Sequence, residues 1–232
     1  MPFFYMLHPS SILIIPALLI AVWAQMRVKA AYKKYAQIPT ANGLTGAAAA
    51  QAIMAQAGVR SVAIEPIPGE MTDHYDPMKK KLGLSHDVYA GNSIAAVGIA
   101  AHEVGHAIQD ANQYGPMRLR HVMYPVSSLG SSLAFPLVFI GAFFEFAASP
   151  LLINVGIWLF TAAVAFTLVT LPVEFDASRR AVKALSSGGY LTQEELAGVR
   201  KVLNAAAMTY VAAAAVAILQ LVRLLLIARG RN

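Results

Sequence analysis

The sequence predicts a mainly α-helical integral membrane protein, with about four transmembrane helices and a small α+β insert between the first and second of them. Three observations carry that prediction. Hydrophobic residues make up 57% of the 232-residue chain and charged residues only 13%, against roughly 45–50% and 25% in ordinary soluble proteins. So little charge leaves too little polar surface to cover a water-soluble body. Four apolar stretches each reach the ~20 residues that cross a bilayer core as a helix. Most of the remaining polar sequence falls in one insert, residues 27–123.

The first stretch, PSSILIIPALLIAVWAQM, runs from Pro9 to Met26. No Lys or Arg precedes it, whereas Arg27, Lys29, Lys33 and Lys34 follow it. A cleaved signal peptide has the opposite order, so this segment reads as a retained anchor with its amino terminus outside. The second stretch covers Pro125 to Phe144, the third Leu151 to Leu171, and the fourth Ala205 to Ala228. The second and third are joined by a few residues around 147–150 and should form a helical hairpin. The expected division is an anchor (1–27), the insert (28–123), a transmembrane hairpin (124–172), a juxtamembrane helical segment (173–204) and a last span with a basic tail (205–232).

Within the insert, TGAAAAQAIMAQAG (45–58) has helix-forming residues and a Gly58 suited to end the helix. VRSVAIEPIPGE and KKKLGLSHDVY look extended, with Pro66, Pro68 and Gly69 marking a turn between them. GNSIAAVGIAAHEVGHAIQDA starts with a cap at Asn92 or Ser93 and continues as a helix to about Asp110. TQEE, Thr192 to Glu195, has the form of a capping box that opens the last helix.

Charge narrows the function classes. The chain has no cysteine, which excludes disulfides, thiolate metal sites and cysteine nucleophiles, so any metal site must use His, Asp or Glu. The net charge of +6 comes from Lys and Arg residues that form no single block. With no nucleic-acid fold motif present, no nucleic-acid partner is expected. Ten of the eighteen basic residues lie in the insert and five more, Arg179, Arg180, Lys183, Arg200 and Lys201, precede the fourth span. A four-span path puts both groups on one side, which the positive-inside rule makes cytoplasmic. Arg223, Arg229 and Arg231 run against that count, within or beyond the fourth span.

The insert helix carries His-Glu-Val-Gly-His, residues 102–106. Positions four apart share a helix face, so His102 and His106 can aim one ring nitrogen each at the same ion. Neutral imidazole suits zinc, and a catalytic zinc site commonly takes three protein ligands. Glu103 is rotated ~100° from His102, where it can reach a water held at the site and act as a general base. Gly105 keeps the face uncluttered.

Topology selects the third ligand. After the hairpin the chain returns to the insert's side at Leu171-Pro172-Val173-Glu174, which brings a carboxylate to the histidines. Glu145 falls at the far end of the hairpin, and Glu194 and Glu195 belong to the capping turn. Glu65 and Glu70 stay open as loop carboxylates, with Glu174 the choice. A helix active inside the membrane is rejected, because Ile94 to Ile108 is too short to span.

Long ordered segments then become recognisable: LLIAVWAQMRVKAAYKKYA, TDHYDPMKKKLGLSHDVYAGNSIAAVGIAAHEVGHAIQ, LVTLPVEFDASRRA and KVLNAAAMTYVAAA. On these, covering nearly the whole chain, it resembles the YugP-type family of membrane neutral zinc metallopeptidases. The resemblance implies zinc, with ligands matching His102 and His106 and a base matching Glu103. The insert would then be zincin-like and catalytic. A looser similarity links the chain to HtpX-type membrane proteases, which show Glu-x-x-x-Asp after the motif. Here Glu174 is followed by Ser178 at the fourth position, and Asp176 is turned away from Glu174.

The expected activity is zinc-dependent endopeptidase cleavage of a peptide or protein substrate, membrane proteins among the candidates. His74, in a stretch that recurs in the resembling family, is the favoured oxyanion donor over Tyr75, His121 and Tyr124. KKKLGLS (79–85) is expected either to pair with substrate backbone or to be an ordinary edge strand. His8 and His86 read as interfacial and surface residues. Two other readings stay open, a non-catalytic zinc-binding membrane scaffold and a metal-handling membrane protein. The sequence does not fix the oligomeric state.

Overall fold

The computed structural model describes residues 9–143 and 149–229. His8, Glu145, Arg231, the last residue of the second apolar stretch and most of the expected hairpin turn lie outside the described residues. The described chain is mostly helical, with one small mixed sheet. After a short 3-10 turn, Pro9–Leu13, come α1 (Ile14–Tyr35) and α2 (Gly46–Gln56). Three strands follow, β1 (Ala63–Ile67), β2 (His74–Asp76) and β3 (Lys81–Ser85), then α3 (His86–Tyr89) and α4 (Ile94–Ala111). Three long helices close the chain: α5 (Gly115–Phe143), α6 (Ser149–Ser187) and α7 (Gln193–Arg229). Among the described residues, four segments are long and apolar enough to cross a membrane, Pro9–Tyr35, Gly115–Ala142, Pro150–Ser187 and Gln193–Arg229. At 1.5 Å per residue, α6 and α7 run for more than ~50 Å each. Residues 173–187 extend α6 beyond its apolar stretch, and residues 193–204 form the beginning of α7.

The chain divides into two compact units, one formed by the apolar ends of the long helices and one by residues 25–118 with 172–208. In the apolar unit, Ala134, Val138, Ile153, Ile157, Phe160, Val164 and Leu224 pack together. Close approach depends on small residues: a Cβ on Gly130 would stand 2.6 Å from the Leu159 carbonyl oxygen. Hydroxyls in α6 fold back onto their own helix, Thr161 donating to the Ile157 carbonyl and Thr170 to the Phe166 carbonyl. Polar groups are thereby satisfied without water. Leu18, Leu19, Leu129, Phe139 and Trp158 are exposed. So broad an apolar surface is suited to lipid.

The second unit is built around α4. Its first half, Ile94 to Ala101, is apolar on every side and so is buried in a core, while the polar residues of its second half gather on one face. Val97, Ala100, Ala101 and Val104 are fully buried, against Ile53 of α2, Leu82 and Leu84 of β3, Leu185 of α6 and Val199 of α7. Local signals set its neighbours. The Thr45 hydroxyl caps α2 by accepting from the Ala48 amide, and Gly58 leaves the helix at φ 72°. The capping box of α7 forms as expected, since the Thr192 amide donates to Glu195 while the Glu195 amide donates to the Thr192 hydroxyl.

The sheet corrects one expectation. Its order is β1-β3-β2, with β3 parallel to β1 and antiparallel to β2. Lys81 to Ser85 is thus the central strand, hydrogen-bonded on both sides, and has no free edge to offer a substrate. The reason is burial, because Leu82 and Leu84 each belong in the core and a strand buried this deeply is flanked.

Candidate metal centre

Ser93 starts α4, its hydroxyl accepting from the Ala96 amide at 3.1 Å. The cap fixes where the first turn begins and so which face carries residues 102 and 106. The two imidazoles stand edge to face with ring centres 4.8 Å apart. Opposite them, α6 presents Glu174, whose Oε2 lies 3.2 Å from His102 Nε2 and 3.4 Å from His106 Nε2. Glu174 is 1% exposed. Helices come this near because α4 has no side chain at the crossing. A Cβ on Gly105 would stand 2.5 Å from the Ala177 carbonyl oxygen, so the glycine inside the motif is required by the approach of α6.

The other ring nitrogens are held as well. His106 Nδ1 lies 3.0 Å from Gln109 Oε1, and the Gln109 amide group donates to the Val173 carbonyl at 2.8 Å and to Asp176 Oδ2 at 2.9 Å. Asp176 in turn accepts from Arg180 Nε, and the Arg180 guanidinium lies over the Tyr114 ring. His102 Nδ1 lies 3.1 Å from the Ser178 hydroxyl. With its amide group given to those two acceptors, Gln109 presents only oxygen to His106. That keeps a proton on Nδ1 and makes Nε2 the ring atom that faces Glu174.

This donor set fits zinc. A tetrahedral ion with bonds of ~2.0–2.1 Å holds its ligand atoms ~3.3 Å apart, close to the two histidine–carboxylate separations. The ligand atoms of all three residues lie within 4.8 Å of one another. Burial pulls the His106 imidazole down, but the hydrogen bond to Glu174 and the charges of Glu103 and Glu174 outweigh it, so its pKa is raised. Glu103, on the same helix, is nearly buried and close enough for its charge to act on His106.

The remaining sequence candidates sit elsewhere. Glu65 pairs with Lys81 at 2.7 Å and Glu70 is exposed, so neither joins the cluster. His74 lies exposed on β2, its Nδ1 2.9 Å from the Thr72 carbonyl oxygen. Tyr75 donates its hydroxyl to Asp110 at 2.6 Å, which ties β2 to the end of α4. His121 and Tyr124 belong to the apolar unit. Sequence reasoning missed Gln109 and the contact of Ser178. The signals were helical spacing, Gln109 being three residues past His106 and Ser178 four past Glu174.

Comparison with known proteins agrees with this chemistry. The family described as "Putative neutral zinc metallopeptidase" matches residues 10–229. A relative from Bacillus subtilis (strain 168), described as "Putative membrane protease YugP", is 46% identical over 215 residues, covering 93% of this chain and 94% of the relative. No solved structure matches. With its family profile matched over nearly its whole length, and with two histidines and a glutamate gathered as a zinc-compatible set, the chain belongs to the "Putative neutral zinc metallopeptidase" family.

Proposed function

We propose that the protein is a membrane-embedded, zinc-dependent endopeptidase whose zincin-like catalytic unit is inserted between its first and second spans. The observation that carries this reading is the convergence of His102, His106 and Glu174, with each imidazole oriented through its second nitrogen. Zinc, when bound, supplies a Lewis acid that polarises a scissile carbonyl and acidifies water.

The chain's own residues do the rest. His102 and His106 would hold the ion through Nε2 and Glu174 through Oε2. Glu103 takes a proton from the attacking water onto its carboxylate and delivers it to the leaving amine nitrogen. Gln109, held by Asp176 and the Val173 carbonyl, keeps His106 in the ligating tautomer. His74, exposed on β2, is kept as the oxyanion donor on the sequence reading alone. The substrate is a peptide or protein at the membrane, and a cytoplasmic site is the reading favoured by the basic residues of the insert and of 179–201.

The test is zinc content per chain in detergent-purified protein, wild type beside Glu174→Ala, with hydrolysis of an unstructured protein followed in parallel. One zinc in wild type, lost or weakened in the variant together with hydrolysis, supports the reading. Zinc retained unchanged would remove Glu174 from the ligand set. No zinc in either, even after reconstitution, would sink the peptidase reading.

A further inference from the structure

Beside the cluster, α6 and the first turns of α7 enclose an open cleft of about 540 Å³. Ser178, whose hydroxyl touches His102, lines one end of it. The walls carry Arg179 and Lys183 from α6 and Arg200 from α7, with Asn204 among their polar neighbours, and no carboxylate lines the space. Asp176, on the same helix, accepts from Arg180 and Gln109. Lys183 and Arg200 are drawn into none of the ion pairs described above, while the charge of Asp176 reaches Arg179 at longer range. Three like charges around one cleft repel each other and raise the local potential for an anion. Phe175 and buried Leu203 add an apolar wall, suited to the stem of a side chain that ends in a carboxylate.

We propose that this cleft is a specificity subsite for an acidic side chain of the peptide substrate. The proposal rests on the peptidase reading and names its substrate class. Lys183 lies five residues past Ser178, a rise of ~7.5 Å along the helix. An extended peptide advances ~3.3 Å per residue, so the acid belongs about two or three residues from the bond cleaved. Anionic lipid headgroups share the same charge chemistry and are separated by the test.

Binding is read apart from turnover. Short fluorescent peptides, identical except for Glu, Gln or Lys at the scanned position, are titrated by anisotropy into full-length Glu103→Gln protein. The same titration is made in that background with Lys183→Glu and Arg200→Glu, and with the milder Lys183→Gln and Arg200→Gln pair in case charge reversal disturbs folding. The Glu peptide is expected to bind about tenfold tighter than the Gln peptide, the yield of several partly screened ion pairs. The preference disappears in the Gln pair and turns toward Lys in the Glu pair, while Gln-peptide affinity holds. Equal binding of Glu and Gln peptides, or a preference that survives both pairs, overturns the proposal. So does charge-dependent capture of phosphatidylglycerol vesicles without any peptide preference, which assigns the cleft to lipid. Turnover of the Gln peptide by zinc-loaded wild type is measured separately. If no peptide is cleaved yet the binding preference is present, the peptidase reading fails, and with it the claim that the bound peptide is a substrate.

Discussion

The Ser178 hydroxyl lies 3.1 Å from His102 Nδ1, one helical turn after Glu174 on the same helix. One face of α6 thus supplies a candidate ligand, Glu174, and the hydroxyl that contacts a second, His102. This is also the position where HtpX-type proteases carry Asp. A hydroxyl can accept from Nδ1–H as a carboxylate does, without adding charge. Ser178→Ala should lower zinc affinity by about 10–100-fold, read by competition with a chromogenic chelator. Ser178→Asp should restore it. Unchanged affinity in the Ala variant would make the contact incidental.

Gln109 holds the other ring. Replacing it with Leu removes the His106 acceptor and leaves the buried Val173 carbonyl without its side-chain donor. The cost of the orphaned groups is about 1–3 kcal/mol. Both zinc affinity and the thermal midpoint should fall. Gln109→Glu keeps an acceptor for His106 but sets a charge against Asp176, so it should retain more zinc affinity than Leu while still losing stability. If the Leu variant melts as wild type does, the Gln109 network contributes little to folding.

Gly105→Ala tests the helix crossing. The added Cβ meets Ala177 backbone, which cannot rotate away as a side chain would. Overpacking of this kind costs about 1–3 kcal/mol, and pushing α6 back carries Glu174 off the histidines. Zinc affinity should therefore fall further than the same substitution at Gly58, which ends α2 at positive φ with open space around it. Equal zinc affinity in the two variants would refute a role for the close approach.

What was legible in the sequence was mostly local. Ser93 and Thr192 announce their helices by capping chemistry, and the spacing of His102 and His106 needs only 3.6 residues per turn. Glu174 required topology, because seventy-two positions separate it from His102, and counting spans brought the two to one side. Spacing alone put Gln109 on the face of His106 and Ser178 on that of Glu174, but both residue types are ordinary on a helix surface and only the crossing at Gly105 and Ala177 shows what they face. The strand order was equally hidden. Lys81 begins a strand that alternation and charge suggest for an edge, and tertiary burial of Leu82 and Leu84 places it in the centre.

Asp73 gives a pH signature outside the metal site. Burial raises its pKa, while hydrogen bonds from the Ser85 amide and hydroxyl only partly offset that. A carboxyl raised on folding protonates more readily in the folded chain. Its contribution to stability is therefore fully present below the unfolded value near 3.8 and is lost as pH rises through the folded value. Asp73→Asn keeps an acceptor for the Ser85 amide and removes the titration. Relative to that variant, wild type should gain thermal stability as the pH is lowered from neutral toward about 4. A difference between the two that stays constant with pH would contradict the buried charge.

Glu103→Gln separates catalysis from metal binding. The substitution keeps size and helix propensity and touches none of the three ligands, so zinc content should match wild type. Hydrolysis should fall by about 10²–10⁴-fold, the usual contribution of a general base. The charge of Glu103 also helps raise the His106 pKa in the zinc-free protein. Its removal should lower that pKa, visible as a displaced histidine titration by NMR. Zinc retained, a displaced titration and lost hydrolysis together place Glu103 at the site as the base. A displaced titration with hydrolysis unchanged keeps Glu103 beside His106 but transfers the proton-accepting role to another group.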